Sequence, residues 1–136
     1  MPNNNPPITT RMLMAEKKQL AAEKSIVNYG FFIGATPDNL EELNAVENVC
    51  GIKIFMGAST GDLLVDDPET IESIFAKGTK LIAVHSEDES ILQANQILMK
   101  DINDVRIHSR IRDESAALSS TKLATRLSLK YNRRLH

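Results

Sequence analysis

Short β-rich runs alternate with capped helices along this chain, and that alternation constrains the fold more than any other feature. The runs "SIVNYGFFIGA" (25–35), "GIKIFMG" (51–57) and "KLIAVH" (80–85) start about 25–30 residues apart, with helical patterns between them. Thr36-Pro37 and Asp67-Pro68 each read as a capping side chain ahead of a proline at the first helical position. Leu40, Leu43 and Val46 continue the first signal at helical spacing. Ile71, Ile74 and Phe75 continue the second, and Gly78 supplies its stop. An opening helix over "RMLMAEKKQLAAEK" sets Leu13, Leu20 and Ala21 on one face. A helix after the third run places Ile91, Leu92, Asn95, Leu98 and Met99 on one side, and a last helix carries Ala116, Leu123, Ala124, Leu127 and Tyr131. The closing "RRLH" reads as the first residues of a further strand.

Alternation of this kind predicts an α/β fold, a parallel sheet with crossover helices. An open doubly wound sheet and a barrel both satisfy it. A full (β/α)8 barrel typically takes about 250 residues, so the 136 residues here make one domain, 1–136, and about half of such a barrel. A net charge of −2 and the lack of a basic stripe among aromatics exclude a nucleic-acid footprint. The apolar runs fall short of the roughly 20 residues a membrane helix needs, and "MPNNNPPITT" has no signal-peptide pattern. A single cysteine, Cys50, suits a reducing compartment, which makes the cytoplasm the expected setting. Cys50 itself reads as a small buried residue.

Lys53 stands in the middle of an apolar strand. Successive strand residues face opposite sides, so Gly51, Lys53 and Phe55 share one face and Ile52, Ile54 and Met56 the other. A buried ammonium needs a partner, and Glu87 or Asp88 at the sheet's end are candidates. The alternative is an amine made neutral by burial, a nucleophile able to take up carbon dioxide as a carbamate and so become a metal-bridging anion. His85 ends the next strand, at the carboxyl end where parallel folds place their chemistry. It can be a hydrogen-bonded structural residue or a metal ligand. The segment "GASTG" lacks the spacing of a phosphate loop. "HSRIRDES" (108–115) reads as a solvated or capping cluster rather than an anion clamp, and His108 and His136 have no partner at metal-ligand spacing.

Four segments in order, "MPNNNPP", "GIKIFMGASTGDLLVDDPET", "LIAVHSEDES" and "RIHSRIRDESAALSSTKLATRLSLKYNRRLH", resemble the dihydroorotases of the amidohydrolase superfamily, the branch with a lysine at the bridging position. The resemblance implies a partial (β/α)8 TIM-type barrel, roughly the second to fifth β/α units. It implies a hydrolase of cyclic amide C–N bonds that interconverts dihydroorotate and carbamoyl aspartate in pyrimidine biosynthesis, with zinc, one or two divalent ions, at the carboxyl-end mouth. Carried over by position, Lys53 matches the carboxylated bridging lysine and His85 the histidine ligand of an "HCED"-like segment. Asn3 matches the asparagine that holds the substrate carboxylate, and Ser86 stands where many relatives have cysteine.

An H-x-H-x-R ahead of "MPN", a later histidine ligand and the aspartate base are expected of such an enzyme and are not in these residues. The expectation is therefore an internal fragment with no complete catalytic set, inactive alone, with open strand edges and bare strand faces that lead to association. The parent enzyme is expected to be a homo-oligomer, with possible attachment to aspartate transcarbamoylase. Two alternatives remain. One is a hydantoinase or allantoinase with the same lysine-bridged site. The other is a non-catalytic scaffold for the transcarbamoylase.

Overall fold

The computed structural model describes residues 1–57 and 63–136. Of "GASTG" only Gly57 is among them, so the phosphate-loop question and most of the loop expected from Ala58 lie outside the described residues. The elements run α1 (Arg11–Lys24), β1 (Phe32–Gly34), α2 (Leu40–Ala45), β2 (Gly51–Phe55), α3 (Pro68–Ala76), β3 (Ile82–His85), α4 (Glu89–Met99), a 3-10 turn (Val105–Ile107), α5 (His108–Ile111) and α6 (Glu114–Lys130). Among the described residues the strands form one parallel sheet in the order β1-β2-β3. At its far edge the Leu135 backbone pairs parallel with Ile82. The chain therefore begins to pair there as a further strand, as "RRLH" led one to expect.

Register sorts the strand side chains into two sets. Ile33, Ile52 and Ile82 align across the sheet, followed by Ile54 beside Val84. This set packs under the helices with Met14 of α1, Leu43 of α2, Ile71, Ile74 and Phe75 of α3, and Ala124 and Leu127 of α6. The opposite face carries Gly34, Lys53 and Ala83 in one row and Phe55 with His85 in the next. Two-sided burial explains the near-continuous apolar reading of β2, as parallel strands require. The bare strand faces expected above are not seen in β2, where all five residues are buried. Large exposed apolar side chains sit instead on helices and loops, among them Ile26, Leu98 and Val105. On β1, Pro2 and Leu63, both buried, close over Gly34 on the face away from the helices.

Local signals held where capping chemistry was strong. Asp67 accepts from the Thr70 N–H and Pro68 starts α3; Gly78 follows its end at φ 116, a conformation that favours glycine. The Thr36-Pro37 expectation needs correction. The Thr36 hydroxyl donates to Asp38 and its N–H to the Asn39 side chain, so the residues form a turn and α2 starts only at Leu40. On two helices one residue of the expected face turns outward, while the rest of that face is at least partly buried as expected. In α1 the core takes Met14 while Leu20 is 43% exposed, and in α4 it takes Leu92 while Leu98 is 78% exposed. In α1 the apolar residues are too scattered to fix its roll, so packing against the core decides it. Cys50 is exposed, not buried, because it precedes β2 at the strand's amino end. No helix among the described residues is long and apolar enough to cross a membrane.

A buried arginine joins the last turn to the other end of the sheet. Arg133 is 6% exposed, and its guanidinium donates to the carbonyls of Ile74, Phe75, Gly78 and Lys80. These include the carbonyls that α3 leaves unpaired at its carboxyl end.

Candidate functional site

The strands' carboxyl ends bring Lys53 and His85 to the same face of the sheet. Lys53 is 6% exposed and lies opposite Gly34 and Ala83; His85 lies opposite Phe55. Burial pushes the Lys53 amine below the ordinary lysine value. Its nitrogen sits 4.9 Å from the centroid of the Phe55 ring, and the Phe55 and His85 rings are 6.2 Å apart. Phe55 is thus the common neighbour of the two residues. Among the described residues no carboxylate reaches the lysine nitrogen within ion-pair distance.

The pairing of Lys53 with Glu87 or Asp88 does not occur. Glu87 is taken by Arg112, whose Nε lies 3.0 Å from Oε1 and whose Nη2 bonds Oε2, and by His85 Nε2 at 2.7 Å from Oε2. Burial acts to raise the Glu87 carboxyl, but the bonds from Arg112 and His85 outweigh it and hold the group below the ordinary carboxylate value. Asp88 caps α4 by accepting from the Ser90 N–H and hydroxyl, and it also accepts from the Ser119 hydroxyl. Those bonds, the one from Ser90 first, keep its carboxyl low as well.

The loop after β3 is fastened to α6. The Asp88 N–H donates to the Ala116 carbonyl, the Ser86 hydroxyl to Ser120, and the Thr121 hydroxyl to Ser86. Ser86 therefore acts as a tie between strand end and helix. A cleft of about 320 Å³ opens nearby, lined by Asp66, Glu87, Asp88, Ser119 and Ser120 among others. Neither Lys53 nor His85 lines it, and Glu87 and Asp88 are committed elsewhere.

Asn3 is exposed and follows Pro2, whose ring would lie 3.1 Å from a Cβ placed on Gly34, the last residue of β1. That places Asn3 at the same end of the sheet as Lys53. His108 is exposed; His136 is exposed too, but its backbone pairs with β3, its N–H donating to the Ile82 carbonyl and its carbonyl accepting from the Val84 N–H. Among the described residues no group of three His, Cys, Asp or Glu side chains is arranged to hold a metal. Arg112 is the functional neighbour that sequence reasoning missed. Its segment read as a solvated cluster, and only its position directly before the capping Asp113 hinted that it faces inward.

Comparison with known proteins adds three findings, although no family model matches the chain. Dihydroorotase of Methanosarcina acetivorans is 36% identical over 141 residues, covering 95% of this chain and 29% of that protein. L-hydantoinase of Paenarthrobacter aurescens is 36% identical over 107 residues, 74% of this chain and 23% of that protein. Among solved structures, L-hydantoinase (dihydropyrimidinase) from Arthrobacter aurescens superposes with a TM-score of 0.92 at 26% identity, covering 99% of this chain and 32% of that one. The chain thus spans less than a third of the length of these relatives.

Proposed function

Since the chain belongs to the family of cyclic amide hydrolases that includes dihydroorotases and hydantoinases, we propose that it forms the second to fifth β/α units of a dihydroorotase barrel. In this reading the whole enzyme interconverts dihydroorotate and carbamoyl aspartate, a small-molecule reaction of pyrimidine synthesis in the cytoplasm. The parent enzyme is then a homo-oligomer able to associate with aspartate transcarbamoylase. Dihydroorotase is preferred to hydantoinase because the likeness to M. acetivorans dihydroorotase runs through 95% of the chain, against 74% for the L-hydantoinase.

One observation carries the proposal. Lys53 is buried on the face turned away from the helix core, has no carboxylate partner among the described residues, and has a histidine on the neighbouring strand of the same face. A lysine kept only for packing would be expected to find an acid or extend to solvent. A neutral amine there can attack carbon dioxide: an N–C bond forms, one proton leaves, and a bidentate carbamate replaces the cation.

The residues fit a divalent metal in kind. The carbamate of Lys53 and the Nδ1 of His85, which has no partner among the described residues, are suitable donors, and a catalytic zinc commonly takes three protein ligands, so further donors would come from elsewhere in the barrel. Bound there, zinc would supply Lewis acidity and an activated water near neutral pH. Lys53 would hold the charge at the inner face, Phe55 would keep water from the amine, and the Asn3 amide would donate to the substrate carboxylate.

Incubation with zinc and isotope-labelled bicarbonate tests the reading. The expected result is an intact-mass gain of one carbon dioxide that is lost on acidification and absent from Lys53→Met. A chain that takes up no carbon dioxide at any zinc concentration would overturn it.

A further inference from the structure

The His85 ring nitrogen Nε2 has two close neighbours, Glu87 Oε2 at 2.7 Å and Arg112 Nη2 at 3.2 Å. Both cannot be hydrogen bonds in one tautomer. A bare Nε2 would accept from Arg112 but would turn its lone pair toward a carboxylate oxygen. An Nε2–H donates to that oxygen and leaves the guanidinium to Glu87. The second arrangement satisfies every group, because Arg112 already grips both Glu87 oxygens in the two-pronged manner that suits arginine and carboxylate.

We propose that Glu87, clamped by Arg112, is a positioning residue that keeps the His85 proton on Nε2 and leaves Nδ1 bare. The use of Nδ1 as a metal donor rests on the function proposed above; the clamp itself does not. Its parts come from three places in the chain. Glu87 lies in the loop after β3, Arg112 in the link between α5 and α6, and Asn95 of α4 holds that link by donating to the Ile111 carbonyl and the Asp113 carboxylate at 3.1 Å each. Glu87 is only 14% exposed at its side chain, so solvent competes weakly for these bonds.

Long-range proton–nitrogen correlation spectra of the isotope-labelled chain read the arrangement directly, with His85 assigned by its loss in His85→Gln. The chain has three histidines, so the spectrum is simple. The expected wild-type result is a proton on Nε2, visible as a slowly exchanging downfield resonance. In Glu87→Ala and in Arg112→Met that resonance is lost to solvent exchange, while the His108 and His136 signals and the helical circular dichroism are unchanged. Glu87→Gln, which keeps an oxygen acceptor, restores it in part. A wild-type proton on Nδ1, or a resonance that survives both Glu87→Ala and Arg112→Met, would overturn the clamp. Zinc added to the wild-type chain, with the clamp resonance seen, separates the two proposals. A shift at Nδ1 supports the metal reading, and its absence counts against that reading and not against the clamp.

Discussion

The Lys53 side-chain nitrogen lies 4.9 Å from the centroid of the Phe55 ring, two residues along the same strand, with no carboxylate among the described residues to balance it. A ring face attracts a cation, worth about 0.5–2 kcal/mol depending on desolvation. Desolvation acts the other way and dominates, since the amine is held below its ordinary value. Lys53 is therefore retained at a cost to the fold. Lys53→Met is expected to raise stability by about 1–2 kcal/mol in urea unfolding, by removing a buried amine that has no acceptor among the described residues.

The same lysine sets a pH dependence. An amine whose pKa is lower folded than unfolded binds fewer protons in the folded state across that interval. Wild-type stability should thus rise with pH from the lowered value up to the ordinary 10.5, and the rise should vanish in Lys53→Met. Urea midpoints measured from neutral to alkaline pH check this, and parallel curves for the two proteins would contradict it.

Acid should act through the helix caps. The carboxyls of Asp67, Asp88 and Asp113 are held below the ordinary 3.8, in each case chiefly by a side-chain hydrogen bond from a nearby threonine or serine. Their contribution is therefore complete above about pH 4 and is lost as pH falls through the folded values. Thermal midpoints measured between pH 5 and 2 should fall, and Asp88→Asn should make the fall shallower.

Arg133 ties the carboxyl end of α3 to the start of β3 through four backbone carbonyls. Arg133→Met leaves buried acceptors unpaired and should cost about 2–4 kcal/mol, with little dependence on salt because no acid is involved. Arg133→Lys should recover only part, because an ammonium cannot span the same acceptors. Urea unfolding at low and high salt measures both effects.

Gly34 sits where β1 passes under Pro2 and Leu63. A Cβ there would lie 2.9 Å from Leu63 Cδ2 and 3.1–3.2 Å from the Pro2 ring. Leucine can turn away and the proline ring cannot, so Gly34→Ala should cost about 1–2 kcal/mol. It should also shift the amide resonance of Asn3, the neighbour of Pro2, in a proton–nitrogen spectrum.

The layer order, the parallel pairing and most helix starts were legible in the residues themselves. Asp67-Pro68 marks α3 because a cap is a contact between residues three apart, and Lys53 is set opposite Ile52 and Ile54 because a strand alternates. Such features depend on spacings that the chain carries locally. The faces of α1 and α4 were legible only in part: Leu13, Ala21, Ile91 and Leu92 turn inward as their spacing suggests, whereas Leu20 and Leu98 are exposed and Met14 is buried. The partner of Glu87 was not legible. Strand placement suggested Lys53 as the partner of Glu87 or Asp88, whereas Arg112, 25 residues away, took the Glu87 carboxylate. Hydrophobic periodicity and capping are written into short stretches of sequence. Which charge meets which carboxylate is decided by distance in space, and only the packing of α4 and α6 against the strand ends sets that distance.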